Sequence, residues 1–121
     1  MKYLVEELKY MVKDNNYYIN KTIEEIDKII SYSSNMTVED LYNHPAVLDG
    51  IIFRMIQMSE HMNNISDDFK LVHNEIKWSD IKGFRNRLVH NYGNVNLNFV
   101  FTAITIDIPK LKVDLKKILG I

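Results

Sequence analysis

The chain is predicted to be an all-α protein, an antiparallel up-and-down bundle of four to five main helices with short connecting helices. Apolar residues recur at intervals of three and four along most of the sequence, which is the spacing of one helical face. Four Gly and two Pro among 121 residues leave little material for turns. The length fits a single domain over residues 1–121.

The first third of the chain predicts two helices. An apolar stripe over residues 1–14 indicates a helical extension at the amino terminus, and Asp14-Asn15-Asn16 either ends it or lies within a longer helix. A second stripe follows, formed by Ile19, Ile23, Ile26, Ile29 and Ile30. Residues 31–35 are polar and indicate a loop.

The central third predicts a long helix between two short ones. Thr37 is placed to cap the first short helix, and Pro45 suits the first position of the long one, where its missing N–H would have no intrahelical partner. Ser66 is a cap candidate for the second short helix, which runs to about His73. The long helix is expected to be central because its apolar arc is wide, with Leu48, Ile51, Ile52, Met55, Ile56, Met58, Met62 and Ile65.

The last helix is predicted to start after one of two cap candidates, Asn94 and Asn96. Pro109 lies inside its apolar stripe. Because proline cannot donate to residue 105 and its ring clashes with that turn, we expect a kink or a brief interruption there.

Composition excludes several classes of protein. There is no Cys, so disulfides and thiolate metal sites are excluded. The net charge of −1 provides no overall basic field for nucleic acid. No signal peptide or membrane span is recognisable in the sequence, so we expect a cytoplasmic protein without membrane contact. His44, His61 and His73 lack the spacing of metal ligands, so neither a metal site nor a cofactor is expected.

Residues 84–92 read Phe-Arg-Asn-Arg-Leu-Val-His-Asn-Tyr and contain the strongest indication of function. Arg85, Asn86, His90 and Tyr92 supply a cation for phosphate, an amide, an imidazole that titrates near neutral pH and a phenol. On a helix, Asn86 and His90 share one face and Arg85 and Tyr92 another, whereas Arg85 and His90 are ~140° apart. Two copies of the helix facing each other would gather these groups, so the sequence favours a dimer.

Simpler interpretations stand beside this one. Arg85 and Arg87 could be solvated, His90 could be a hydrogen-bonded, half-buried side chain, and Tyr92 could pack with its hydroxyl at a rim. Glu60, on the central helix, could face the cleft or lie on the surface. The methionines of that helix are expected to fill the core.

The motif resembles the signature of the HEPN superfamily in its HepT-like branch. The resemblance rests on the order and spacing of four residues. Arg85 is followed directly by Asn86, four residues separate Arg85 from His90, and one residue separates His90 from Tyr92. Trp78 to Gly83 lead into the motif, and Asp107-Ile108-Pro109 lies in the closing helix as in that branch. The similarity covers roughly residues 17–119; Asn91 stands where such proteins often have glycine.

The resemblance implies a homodimeric helical bundle, the toxin of a type VII-like toxin–antitoxin pair, with metal-independent endoribonuclease activity. Arg85 and His90 are then the catalytic residues, while Asn86 and Tyr92 support catalysis or bind the RNA substrate. It also implies a minimal nucleotidyltransferase antitoxin as partner, which silences the toxin by attaching AMP to Tyr92. Two alternatives remain open: a non-catalytic HEPN module that binds a nucleotidyltransferase or a nucleotide, and a structural dimer whose motif only forms the interface.

Overall fold

A computed structural model describes residues 14–90 and 94–121 of the chain. It contains seven α-helices within these ranges and one π-helical turn, Ala103–Asp107, between the last two. The α-helices are α1 (Asn15–Ser33), α2 (Val38–Asn43), α3 (Pro45–Asn63), α4 (Asp67–Val72), α5 (Trp78–His90), α6 (Leu97–Thr102) and α7 (Ile108–Ile118). The described residues contain no strand, and the all-α prediction is confirmed.

The helices begin where side chains can accept hydrogen bonds from free backbone N–H groups. The side chain of Asp14 accepts from Tyr17 N, so α1 starts after it. Thr37 and Asp40 form a reciprocal capping box on α2. Ser66 caps α4. Of the two candidates for the last helix, Asn96 caps α6. The predicted amino-terminal extension lies outside the described residues apart from Asp14.

The long helices form a row in the order α5, α3, α1 and α7. Glu25 of α1 contacts Arg54 of α3, while Tyr32 of α1 lies beside Gly50. Since the later residue in α1 meets the earlier one in α3, these helices are antiparallel. The same reasoning applies to α3 and α5, through contacts of Glu60 with Arg85 and the shared lining of one pocket by Met62 and Trp78. The antiparallel bundle is therefore the observed arrangement.

The core lies along α1 and α3 and is almost wholly aliphatic. The fully buried side chains include Ile19, Ile26, Ile29, Leu41, Ile51, Met55, Met62, Leu88, Val100 and Leu115. The methionines of α3 at 55, 58 and 62 are at most 2% exposed, which confirms that they fill the core. The buried hydroxyl of Ser59 donates to Met55 O at 2.9 Å, so it brings no unpaired polar group into the core.

The predicted interruption at Pro109 takes the form of the π-helical turn. Its wider winding ends with the N–H of Ile108 bonded to Ala103 O, five residues back. Pro109 then stands in the first turn of α7, where a proline lacks no hydrogen bond. Ala103, Ile104 and Ile108 remain buried, so the apolar stripe continues through the turn. None of the described helices is long and apolar enough to cross a membrane.

Candidate functional site

Helix α5 holds the described part of the motif. It starts at Trp78, whose Nε1 donates to the carbonyl oxygen of His73 at 3.0 Å and fixes the connection from α4. Its inner face packs on the core through Leu88, which is fully buried, and through the partly buried Ile81 and Phe84. These three apolar anchors fix the rotation of α5, and therefore the direction in which each motif residue points.

Arg85 lies on the flank of α5 that faces α3. Its Nε donates to Oε1 of Glu60 at 2.7 Å, and its Nη2 lies 2.6 Å from the same oxygen. Both side chains remain partly exposed, at 39% for Arg85 and 40% for Glu60. Of the two positions left open for Glu60, the cleft or the surface, the structure shows a partly exposed side chain that contacts the motif arginine.

His90 and Asn86 lie on the outer face of α5. Both are exposed and one helical turn apart, as the spacing predicts. No hydrogen bond joins them among the contacts of the described residues. Within one chain, Arg85 turns toward α3 and His90 toward the outside, so the expectation that a single copy separates these groups is met. The dimer that would gather them stays a prediction.

The opposite flank of α5 is formed by Arg87 and Phe84, which face α6. The Arg87 guanidinium lies over the Phe99 ring at 3.9 Å from its centroid, and the rings of Phe84 and Phe99 are 5.3 Å apart. A guanidinium stacked on an aromatic ring gains cation–π attraction. Arg87 thus ties α5 to α6, although it sits only two residues after Arg85.

An open groove of about 710 Å³ runs between α5 and the unit formed by α6, the π-helical turn and α7. Met58 lies among the residues that line it. Four carboxylates and three cations also line it: Glu75, Asp80, Asp107, Asp114, Lys77, Arg87 and Lys110. Lys110 is bound to Asp114 at 3.3 Å. The groove therefore carries a slight excess of negative charge.

One histidine next to Glu60 has a shifted pKa. Partial burial against α1 holds the pKa of His61 below its ordinary value of 6.5, and the charge of Glu25 opposes this only in part. The charges of Lys21, Glu24 and Glu60 also act on it. His61 points away from Arg85, toward α1, and is not part of the motif site.

Two further predictions concern the site. Tyr92, predicted to support catalysis and to accept AMP, lies outside the described residues. The described residues contain no group of three His, Asp or Glu side chains arranged to hold a metal ion. The Arg85 guanidinium, held by the Glu60 carboxylate, suits phosphate binding, and the exposed His90 imidazole on the outer face of the same helix suits proton transfer.

Comparison with known proteins identifies the family. The model of the HepT-like family, described as ribonuclease HepT-like, matches residues 22–118. The chain therefore belongs to the HepT-like family.

Several curated proteins resemble the chain along most of its length. It is 27% identical over 108 residues to the "Probable ribonuclease HepT" of Thermococcus cleftensis, covering 89% of this chain and 98% of that protein. It is 26% identical over 102 residues to a "Putative RNase" of Caldanaerobacter subterraneus subsp. tengcongensis, covering 84% of this chain and 91% of that one.

A third relative is a longer protein. The chain is 30% identical over 109 residues to a Methanocaldococcus jannaschii protein named "Gamma-glutamylcyclotransferase and putative RNase". The match covers 90% of this chain but 49% of that protein, so the chain spans about half of its length. No solved structure matches this chain significantly.

The sequence identified Arg85, Asn86 and His90 but left the neighbours of Arg85 open. Glu60 lies 25 residues before it, and their contact depends on how α3 and α5 are aligned. The available signal was a glutamate within the long apolar stripe of the central helix. The spacing to His90 distinguished Arg85 from Arg87, but only the fold shows that Arg85 faces α3 and Arg87 faces α6.

Proposed function

We propose that the chain is a metal-independent endoribonuclease that acts as a homodimer and is the toxin of a toxin–antitoxin pair. The observation that carries the proposal is that Arg85 and His90 lie on the same helix, α5. The Arg85 guanidinium is partly exposed and is held by Glu60 of α3, and His90 is exposed. Membership of the HepT-like family and the names of the relatives support it. Arg85 and His90 are the proposed catalytic residues.

The chemistry is internal transesterification of RNA. The 2′-OH attacks the adjacent phosphorus, the bond from phosphorus to the 5′ oxygen breaks, and a cyclic phosphate forms. A base takes the proton of the 2′-OH and an acid gives one to the 5′ oxygen, roles that imidazole fills near neutral pH. Arg85 stabilises the extra charge of the pentacovalent phosphorus through paired N–H donors. Asn86 is placed to hold a phosphate oxygen.

The near-neutral charge of the whole chain does not oppose RNA binding, because its charges are segregated. Residues 14–76 contain four Lys or Arg and eleven Asp or Glu, whereas residues 77–121 contain eight Lys or Arg and three Asp or Glu. The basic half includes all of α5, the helix that carries the described part of the motif. A local basic surface is what binding of a polyanion requires.

A homodimer would complete the site. Four exposed residues recur along the outer face of α5 at intervals of three and four, namely Ser79, Gly83, Asn86 and His90. A Cβ atom added at Gly83 would meet nothing within 4 Å. A second α5 could approach this face closely and bring the two His90 side chains together, one as base and the other as acid.

The proposed antitoxin is a minimal nucleotidyltransferase that attaches AMP to Tyr92. The phenolic oxygen would attack the α-phosphorus of ATP, pyrophosphate would leave, and the phenolic proton would go to solvent. The product adds a bulky anion to the motif, two residues after His90 in the sequence, which would block an RNA phosphate by size and by charge. Incubating the chain with the nucleotidyltransferase and ATP should add AMP to the wild-type protein and none to Tyr92→Phe.

The direct test is RNA cleavage in the presence of a chelator. Wild-type protein should cut single-stranded RNA, Arg85→Ala should lower kcat/KM by roughly 10²–10³-fold, and His90→Ala by roughly 10²–10⁴-fold. Both variants must match the wild type in circular dichroism and in sedimentation. Full activity in either variant would refute the assigned roles.

Two further outcomes separate the alternatives. Wild-type protein that binds the nucleotidyltransferase tightly but cuts no RNA would be a non-catalytic module. A mixed dimer with one His90→Ala subunit tests the shared site, because half or more of the wild-type activity would mean that each chain works alone.

A further inference from the structure

The two flanks of α5 differ in charge. On the flank that faces α3 and α4, Lys70 and Lys82 line one pocket of about 280 Å³, together with a single carboxylate, Asp67. Arg85 lies on this flank as well, one helical turn after Lys82. The groove on the other flank carries four carboxylates and three cations, as described above. With Glu60 counted as the partner of Arg85, the α3 side has three cations and two carboxylates, so its balance is positive where that of the groove is negative.

Two of the three cations on the α3 side, Lys70 and Lys82, form no ion pair among the described residues, whereas the third, Arg85, is paired with Glu60. Lys82 is exposed and takes part in none of the ion pairs found among the described residues. The Lys70 ammonium lies 5.9 Å from the centre of the Trp78 ring, at the edge of the pocket. On the groove side, by contrast, Arg87 is stacked on Phe99 and Lys110 is bound to Asp114.

We propose that the phosphate backbone of a single RNA strand lies along the junction of α3, α4 and α5, with Arg85 on the scissile phosphate and Lys82 and Lys70 on phosphates to one side of it. The assignment rests on the proposed ribonuclease function for the place of the scissile phosphate. Side chains three residues apart on a helix have their Cβ atoms ~5–6 Å apart, so Lys82 and Arg85 can serve neighbouring phosphates. Lys70 extends the line toward α4.

Glu60 orients Arg85 for this task without occupying the face that binds phosphate. Its Oε1 takes donors from Nε and Nη2, which form one edge of the guanidinium. The other edge, formed by Nη1 and Nη2, keeps two parallel N–H donors for a bidentate phosphate contact. Glu60 is thus a positioning residue, and its contact leaves the open edge of Arg85 available to the phosphate.

The test compares two double variants that remove the same charge. Lys70→Met/Lys82→Met removes the proposed contacts but keeps the aliphatic stems, and Lys110→Met/Lys117→Met removes two cations of α7. The probe is a fluorescent single-stranded oligodeoxynucleotide of about 12 nucleotides, which lacks the 2′-OH and cannot be cut. Its affinity is measured by anisotropy over a range of KCl concentrations, and RNA cleavage is measured in parallel.

The Lys70/Lys82 variant should lower the salt slope of log K by about 1.4, since each phosphate contact on a single strand contributes about 0.7. It should also raise KM for RNA more than it lowers kcat, while the α7 variant changes both far less. Equal slopes in the two double variants would overturn the proposal. If Lys70→Met disturbs folding, Lys82→Met alone should lower the slope by about 0.7, and an unchanged slope would overturn it.

Failure of the ribonuclease function would be recognised separately. If the wild-type protein cuts no RNA but the two double variants show the expected difference in salt slope, the backbone path is supported and the proposed ribonuclease activity is refuted. If the wild-type protein cuts RNA but the two double variants have the same salt slope and the same KM, the activity is supported and the backbone path is refuted.

Discussion

At the scale of single residues, the Arg85 guanidinium is fixed on one edge and open on the other. The ion pair with Glu60 is partly exposed, so water and salt screen it, and it stabilises the fold by less than about 1 kcal/mol. The ion pair matters because it positions Arg85. A cation stabilises the charge of a transition state best when it is held in place before the reaction begins.

Removing Glu60 should therefore harm catalysis more than folding. We expect Glu60→Ala to lower kcat/KM for RNA by about 10²-fold, because a misplaced catalytic group costs on that order. Glu60→Gln should retain more activity, since its amide oxygen can still accept from Nε. Steady-state cleavage kinetics and urea denaturation measure the two effects.

The matched control is Glu24→Ala, which removes an exposed glutamate of α1 that pairs with Lys21. It should leave cleavage unchanged. A Glu60→Ala protein with the kcat/KM of the wild type would mean that Glu60 does not orient Arg85. A higher kcat/KM than the wild type would mean that the carboxylate competes with phosphate for Arg85.

His61 provides a prediction about pH. Because burial lowers the pKa of His61 below 6.5 in the folded chain, the unfolded chain binds the proton more readily. The neutral histidine is compatible with full stability above pH ~6.5, and stability should fall as the pH drops below that value. Urea denaturation at several pH values between neutral and mildly acidic should show a smaller fall in His61→Gln. Identical falls would show that His61 is not the cause.

At the scale of helices, local signals predicted the starts well, but not every end and not the contacts between helices. The loop predicted over residues 31–35 was wrong in its first part, since α1 continues to Ser33. Thr37, Pro45, Ser66 and Asn96 stand at the predicted positions because capping depends on neighbouring residues in the sequence. The contact of Glu60 with Arg85 depends on the alignment of α3 with α5, which the connection through α4 sets. Sequence spacing alone contains no measure of that alignment.

The same limit applies to the interruption near Pro109. The missing N–H and the clash of the ring predicted a disturbance before the proline. They did not specify that the backbone would widen into a π-helical turn at Ala103–Asp107 instead of bending. The π-helical turn keeps Ala103, Ile104 and Ile108 in the core. Its formation therefore depends on tertiary packing, which the local sequence does not specify.

The capping box of α2 should be measurable in stability. Thr37→Ala removes the acceptor for Asp40 N, a bond of 3.1 Å, and should lower the free energy of unfolding by about 1 kcal/mol. Thr102→Ala, at an exposed site in α6, should lower it by much less. Urea denaturation of the two variants makes the comparison, and equal losses would show that the cap is not the source.

At the scale of the whole molecule, α5 carries the described part of the motif between α3 and α6, and the charges divide along the chain. Helix α5 contacts α3 on one flank, and its outer face remains exposed in the single chain. The outer face presents Gly83, Asn86 and His90, and the dimer predicted from the spacing of the motif would use this face.

A bulky side chain on the outer face of α5 should break that dimer without unfolding the chain. Gly83 has open space around it, so Gly83→Trp should fold as a monomer. We expect the dimer Kd to rise tenfold or more, which is about 1.4 kcal/mol, and cleavage activity to fall with the dimer. Sedimentation over a range of concentrations measures the change.

Asn20→Trp, on the exposed side of α1, is the control and should leave the dimer intact. An intact dimer in Gly83→Trp would mean that two copies meet through another surface. A wild-type protein that sediments as a monomer at all concentrations would remove the shared site altogether.

The wide turn at Ala103–Asp107 also determines where chain length can vary. It holds one residue more than ordinary helical winding needs, so deleting one residue there would leave the following helix facing its present neighbours, provided that Pro109 is replaced as well. Deleting one residue within α7 would instead rotate every later side chain by about 100° and take Leu115 out of the interior. Relatives that differ by a single residue in this region are expected to gain or lose it at this turn.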